Sequence, residues 1–237
     1  MNLYVAPRAP NPRRVRMFLA EKGITSIETV DVDLNAGEHR SEAFRARSPL
    51  ARVPVLELDD GRALGETRAI CTYIEGLQPE PNLMGVDFEE HAFIEMADRR
   101  IEHYLGAYVA NAIRHTHPGL ATLEQPQFPD FGRSQAQKAR EVARWLDEVL
   151  AQQDFIAGAR FTIADITAFC VLEFGRGLLK FRPGDEGLAH LQAWRDRIAA
   201  RPSAKVFFAQ MIVLDHLPPA SCQTRCSVGH SEEDMQT

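Results

Sequence analysis

The stretch Ser48–Glu75, SPLARVPVLELDDGRALGETRAICTYIE, holds residue types able to grip a charged peptide. Glu66 and Thr67 stand at a helix start, where uncommitted backbone N–H groups already draw anions. Pro54 opens an apolar strand (Val53, Val55, Leu56, Leu58) at a place where the ladder normally wants an N–H. A strand that offers its backbone sideways, beside a helix that offers N–H groups, makes a socket for a peptide-like anion. The plainer reading is that Glu66 and Thr67 only start a helix.

Several elements must position these residues. Asn2–Val5 suits a first strand, and Ala6–Pro12, with three prolines, a loop. Asn11-Pro12 reads as a helix start, with Asn as cap and Pro at the first helical position. Val15, Phe18 and Leu19 share a face of that helix, and Gly23 stops it. Val30, Val32 and Leu34 alternate, so a strand is expected over 27–34. A short irregular helix follows over 39–47. The Asp59-Asp60-Gly61 turn makes a hairpin, and Ala69, Ile70, Tyr73, Ile74 and Leu77 form the apolar stripe of a helix. The first strand–helix–strand implies a parallel pair. A mixed four-stranded sheet with helices on both sides accommodates both connections.

Residues 78–87, QPEPNLMGVD, break the pattern, and strand signals stop after them. A helix is expected over 88–111, with Ile94, Ala97, Ile101, Tyr104/Leu105, Tyr108 and Ala112 inward. A proline-rich loop is expected over 115–131. Ser134 and Gln137 match a capping box for the next helix, with Ala139, Val142/Ala143, Leu146 and Val149/Leu150 inward. In FTIADI, Thr162 and Asp165 can cap reciprocally while Phe161 packs on Ile166. The helix they open is apolar nearly all round, so it belongs at the centre of a helical half. Leu191, Trp194 and Ile198 mark another helix, and 203–214 a last short one. The polar, acidic residues beyond Pro218 are expected to be disordered.

The net charge of −6 argues against a general nucleic-acid surface. No run of 18 apolar residues spans a membrane, and no basic-then-apolar leader opens the sequence. Cys71, Cys170, Cys222 and Cys226 form no CxxC pair. Buried free thiols at Cys71 and Cys170, and a cytoplasmic location, are expected.

Together, SPLARVPVLELDDG with GETRAICTYIE, FTIADI and LQAWRDRIAARPS, in that order, resemble the cytosolic glutathione transferases over residues 1 to about 213. That resemblance implies an α/β plus all-α fold. Its parts are a thioredoxin-like domain (1–78), a linker (79–87), an all-helical domain with the second-substrate site (88–214) and a tail (215–237). It implies glutathione as co-substrate, no metal and a homodimer. Pro54 would be cis, aiming the Val53 backbone at the cysteinyl part of glutathione. Glu66 and Thr67 match the acid–hydroxyl pair that receives the γ-glutamyl end, with threonine in place of the usual serine. Arg52 and His39 match groups that meet the glycyl carboxylate, and otherwise are solvated surface residues.

The family's Tyr, Ser or Cys thiol donor is missing: Ala6–Pro12 supplies none, and Tyr4 lies within the strand. YVAPRAPNPRRVR, EHRSEAF and HTHPGL are similar to a yeast and bacterial branch without that donor. The branch is thought to polarise the thiol through the first helix's N-terminus and a water held from the helical domain. The resemblance therefore points to Asn11 at the helix start and to His115 as the water-holding group, with Thr116 and His117 as alternatives. Arg8, Arg13, Arg14 and Arg16 would add positive potential. His115 and His117 without a third ligand are weak grounds for a metal. Tyr104, Tyr108 and the 115–131 loop, with Phe128 and Phe131, are expected walls for an apolar electrophile. Conjugation is the leading activity. Glutathione-dependent dehalogenation, isomerisation or peroxide reduction, and a low-turnover binding or adaptor role, are the alternatives.

Overall fold

A computed structural model describes residues 1–205. Strand β1 (Asn2–Val5) buries Leu3 and Val5 on one face and sets Tyr4 on the other, the alternation a strand imposes. Helix α1 (Pro10–Lys22) begins earlier than expected. Ala9 is its N-cap, Pro10 takes the first position, and Asn11 lies inside the first turn with no capping bond. Pro10's fixed φ suits that place as well as Pro12's does, and Pro12 is tolerated because a first-turn N–H has no intrahelical partner. Gly23, at φ 67°, closes the helix in the left-handed region.

Strand β2 (Glu28–Asp31) is shorter than the expected 27–34. Val32 still donates its N–H to the Val5 carbonyl (2.7 Å), but its side chain turns in to pack with Phe44 and Leu34. A 3₁₀ turn (Glu38–Arg40) and helix α2 (Glu42–Arg45) follow, α2 capped by the Ser41 hydroxyl. Strands β3 (Val55–Glu57) and β4 (Ala63–Leu64) form the hairpin, and Gly61 (φ 83°) makes its turn. Helix α3 (Thr67–Leu77) completes this half. The sheet order is β2-β1-β3-β4, with β1 and β2 parallel and the other pairs antiparallel. Ile70 and Ile74 of α3 join Val15, Phe18 and Leu19 of α1 against Leu3, Val5 and Leu56, while Phe44 of α2 packs with Val55 on the other face.

Helix α4 (Phe88–Arg100) runs through a π segment (Ile101–Gly106) into α5 (Ala107–Thr116). The extra residue in the π turn decides which neighbours face inward. Leu105 and Val109 are buried, whereas Tyr104 is 55% exposed and Tyr108 only half-buried. Helix α6 (Pro129–Leu150) starts ahead of the expected Ser134 box. Pro129 takes its first position, and Ser134, now inside the helix, donates its hydroxyl to the Phe131 carbonyl at 2.7 Å. Helix α7 (Ile163–Leu178) is the buried axis, and α8 (Ala189–Ala199) packs beside it through Leu191, Trp194 and Ile198. Cys71 and Cys170 are free and buried, and burial pushes both thiols up to about 12, so they are inert thiols. The helix expected over 203–214 lies almost wholly outside the described residues, as do the tail, Cys222 and Cys226.

Asp165 organises the helical half. Its carboxylate accepts from Ile156 N (2.9 Å), Thr162 N (2.9 Å), Thr162 Oγ1 (3.3 Å) and Trp194 Nε1 (2.9 Å), while the Thr162 hydroxyl caps α7. Burial pushes Asp165 up to about 6, against the pull of those donors. Asp165→Ala orphans three buried N–H groups at roughly 1–3 kcal/mol each. The variant is expected to lose at least about 3 kcal/mol in urea unfolding, more than an exposed-site control such as Glu148→Ala.

Candidate glutathione site at the sheet end

The strand registers decide which residues meet. Leu56 pairs with Leu64 and Glu57 with Ala63, so continuing two residues sets Glu66 across from Pro54. Tyr4 pairs with Val55, so the same continuation sets Ala6 across from Val53. Val5 pairs with Asp31, which brings the 3₁₀ turn carrying His39 to this end as well. The start of α1, the Val53–Pro54 bond, the start of α3 and His39 thus collect at one end of the sheet.

At the α3 start, Glu66 adopts φ 60° and ψ 120°, a conformation costly for a residue with a side chain, about 1–3 kcal/mol. Its carboxylate is exposed and has no ion pair or hydrogen bond among the described residues. The first intrahelical bond runs from Ile70 N to Glu66 O (3.0 Å), which leaves the N–H groups of Thr67, Arg68 and Ala69 uncommitted. Thr67 is buried. An acid in front and three N–H groups with a hydroxyl behind suit an amino-acid zwitterion. Val53 lies outside the paired residues beside a cis Val53–Pro54 bond, so its N–H and C=O stay off the ladder.

His39 is buried, and its Nδ1 has no hydrogen-bond partner. Burial, then Arg40, Arg52 and Arg45, hold its pKa below the ordinary histidine value. A neutral imidazole among arginines is a place where an incoming carboxylate is stabilised.

Near the sulfur end the donors are few. Tyr4 donates its hydroxyl to Glu57 (2.9 Å) beneath Arg47, and so is engaged elsewhere. Pro10 and Pro12 carry no N–H, and Ala9 N is bonded to Ala6 O (3.0 Å). Among these residues Asn11 is left with a backbone N–H that no intrahelical bond takes. Arg14, expected only as a source of potential, is buried. It donates to Glu102 Oε1 (2.8 Å) in the π segment and to Asn11 Oδ1 (3.3 Å). Glu102 had no sequence signal, because the π insertion shifts the facing residues out of the regular period.

His115 sits in the last turn of α5 instead of a loop. Its Nδ1 accepts from Phe128 N (3.2 Å), and its ring lies 5.1 Å from Phe131 and 5.9 Å from Phe128. That acceptor role leaves the proton of a neutral ring on Nε2. Along the helix, His115 lies about 20 Å beyond Glu102. Thr116 donates to Ala112 O (2.7 Å), and His117 Nδ1 accepts from Gly119 N (3.2 Å). No group of three or more potential metal ligands occurs among the described residues.

A four-stranded α/β half of thioredoxin type is followed by an all-helical half. The family model for the glutathione S-transferase N-terminal domain matches residues 3–82, and the model for the C-terminal domain matches 129–202. Glutathione S-transferase 2 of Saccharomyces cerevisiae is 38% identical over 86% of this chain and 88% of its own. A crystal structure of a glutathione S-transferase domain-containing protein from Marinobacter aquaeolei matches with a TM-score of 0.82 at 45% identity, over 86% of this chain and 99% of that one. Maleylacetoacetate isomerase of Pseudomonas aeruginosa is 31% identical over 67% of this chain and 70% of its own. The chain belongs to the glutathione S-transferase family, and its affinity to the yeast enzyme agrees with the branch that lacks the Tyr, Ser or Cys donor.

A carboxylate arriving beside His39 raises the proton affinity that the arginines depress. Binding of S-methylglutathione, which has no ionisable thiol, should therefore take up protons at mildly acidic pH and weaken as pH rises through that window. Calorimetry in two buffers of different ionisation enthalpy reads the uptake, which His39→Gln should abolish.

Proposed function

We propose that the protein binds glutathione across the sheet end and transfers its thiolate to small apolar electrophiles. Glu66 receives the γ-glutamyl ammonium. Thr67 and the α3 N–H groups receive the adjoining carboxylate, Val53 pairs with the cysteinyl backbone, and His39 with Arg52 faces the glycyl carboxylate. The α1 start, through Asn11, stabilises the thiolate. The sulfur then attacks the electrophilic carbon, a C–S bond forms, and the leaving group departs with its electron pair. His115 lines the second-substrate side with Tyr104, Tyr108 and the 117–128 loop, its Nε2–H available to a water there. The observation that carries this reading is Glu66: strained, exposed and without a partner, in front of three free N–H groups. A detoxifying role in the cytoplasm accords with that chemistry; no helix among the described residues is long and apolar enough to cross a membrane.

The relative named maleylacetoacetate isomerase supports a second reading, glutathione-dependent isomerisation on the same socket. A panel of electrophiles and cis-olefinic acids, with product analysis, separates the two.

Charge-assisted hydrogen bonds contribute about 1.5–3 kcal/mol each. Glu66→Ala and Thr67→Val should each weaken glutathione binding about tenfold to a hundredfold, with single-turnover conjugation of an aryl halide falling in step. Unchanged binding and rates would sink the reading.

We further propose a homodimer, supported by uncovered apolar side chains. Phe93 (58% exposed) and Met96 (39%) lie three residues apart on one face of α4, and Leu50 is 75% exposed. Phe93→Glu is expected to convert a dimer to a monomer in light scattering, whereas an unchanged mass would exclude this face as the interface.

A further inference from the structure

We propose that Glu102 and Arg14 are positioning residues, which hold the Asn11 side-chain amide in the orientation that presents its Nδ2–H groups to the glutathione sulfur. This inference rests on the glutathione reading above. It starts from the scarcity of backbone donors at the α1 start, where Pro10 and Pro12 carry no N–H and the Ala9 N–H is bonded to Ala6 O. The Arg14 guanidinium carries only donors, so the atom it meets at 3.3 Å on Asn11 must be the amide oxygen. With Oδ1 turned to Arg14, Nδ2 faces away from it, and Asn11 is exposed. A thiolate at the α1 start would then meet two kinds of donor from one residue, the Asn11 backbone N–H and its amide.

Arg14 is itself fixed from the other half of the molecule. The Nη1 that reaches Asn11 also donates to Glu102 Oε1 at 2.8 Å, and Arg99 pairs with the other Glu102 oxygen. Asp98 lies 3.9 Å from Arg14 Nη2, beyond hydrogen-bond range. Nε and Nη2 of this 2%-exposed side chain therefore have no hydrogen-bond partner. All the hydrogen bonds of this guanidinium run through Nη1, while Nη2 meets Asp98 only as a longer ion pair; stability alone would favour a fully bonded cation. Glu102 belongs to the π segment, a distortion that commonly marks functional positions because it re-aims side chains. Here it aims a carboxylate at the first turn of α1.

The test is the pKa of glutathione's thiol in the complex, read from thiolate absorbance against pH. Simple Coulomb reasoning says that removing the Glu102 negative charge lowers that pKa. Positioning says the opposite: Glu102→Ala releases Arg14, the amide loses its orientation, and the pKa rises. A rise of half to one unit, about threefold to tenfold less thiolate below the pKa, is expected. kcat should fall with it, while KM for glutathione changes little because the α3 socket is intact. Glu102→Gln, whose amide oxygen still accepts from Arg14, should recover most of the loss. Asn11→Ala, at an exposed site that folding tolerates, should raise the pKa, and adding Glu102→Ala to it should do no more. A lowered or unmoved pKa in Glu102→Ala, an unmoved pKa in Asn11→Ala, or full additivity of the two would overturn the inference while leaving the glutathione reading in place. Absence of glutathione binding by the unaltered protein would instead bring down that reading, and this inference with it.

Discussion

Asp98 is the group on which the arrangement of the two halves depends. It has no solvent exposure, and it accepts from Thr167 Oγ1 of α7 at 2.5 Å and from Arg99 at 2.8 Å. Arg68 of α3 stands 3.6 Å away and Arg14 of α1 3.9 Å away. A buried carboxylate is costly unless cations and hydrogen bonds surround it, and removing one partner from such a cluster usually costs about 3–5 kcal/mol. Two of its cations come from the thioredoxin-like half and its other partners from the helical half. Their contact can therefore not slide without stripping the charge of its partners. Lys22, buried and bonded to Pro79 O (3.1 Å), Pro81 O (2.7 Å) and Glu75 (2.5 Å), ties the connecting segment in the same manner.

That rigidity matters for the proposed function, in which ligand grip and sulfur chemistry come from different helices. The α3 start is rich in free donors and carries a strained acid, and in the proposed reading it meets the γ-glutamyl end of glutathione. The α1 start is poor in donors: two prolines fix its dihedrals and delete two N–H groups. A small displacement of α1 against α3 would keep the ligand bound yet move its sulfur off the few donors available. The ion cluster around Asp98 sits where it opposes that displacement.

Much of this was legible in the sequence wherever local chemistry and fold agree. Gly23, the Asp-Asp-Gly turn and the Thr162–Asp165 box each have one low-energy reading, and each forms as read. The misplaced boundaries share a cause. At Pro10/Pro12 and at Pro129/Ser134 two residues compete to open the same helix, and the upstream proline prevails because its φ is already helical. The site was legible as residue types at the sheet end, since strand register alone brings Val53, Pro54, Glu66 and Thr67 together. Glu102 was hidden, because a π turn leaves no mark in a 3.6-residue pattern. His115 looked like a loop residue because Pro118, Pro126 and Pro129 surround it, yet its ring bridges α5 to the backbone of Phe128.

An activating group missing from its usual place must be replaced by field, by fewer but better-aimed donors, or by water. The field from Arg14 is weak here: Glu102 largely neutralises it, and Asp98 adds a second negative charge nearby, which leaves Arg8 and Arg13 as the cations beside that start. Burial pushes the Glu102 carboxyl up, but Arg14 and Arg99 outweigh it and hold its pKa below the ordinary value, so it stays ionised at neutral pH. A neutralised arginine contributes little potential to a thiolate and a good deal of geometry to its neighbour. Aim is therefore what the first turn of α1 can supply, and an asparagine amide clamped through its oxygen is a donor whose direction is set before the sulfur arrives.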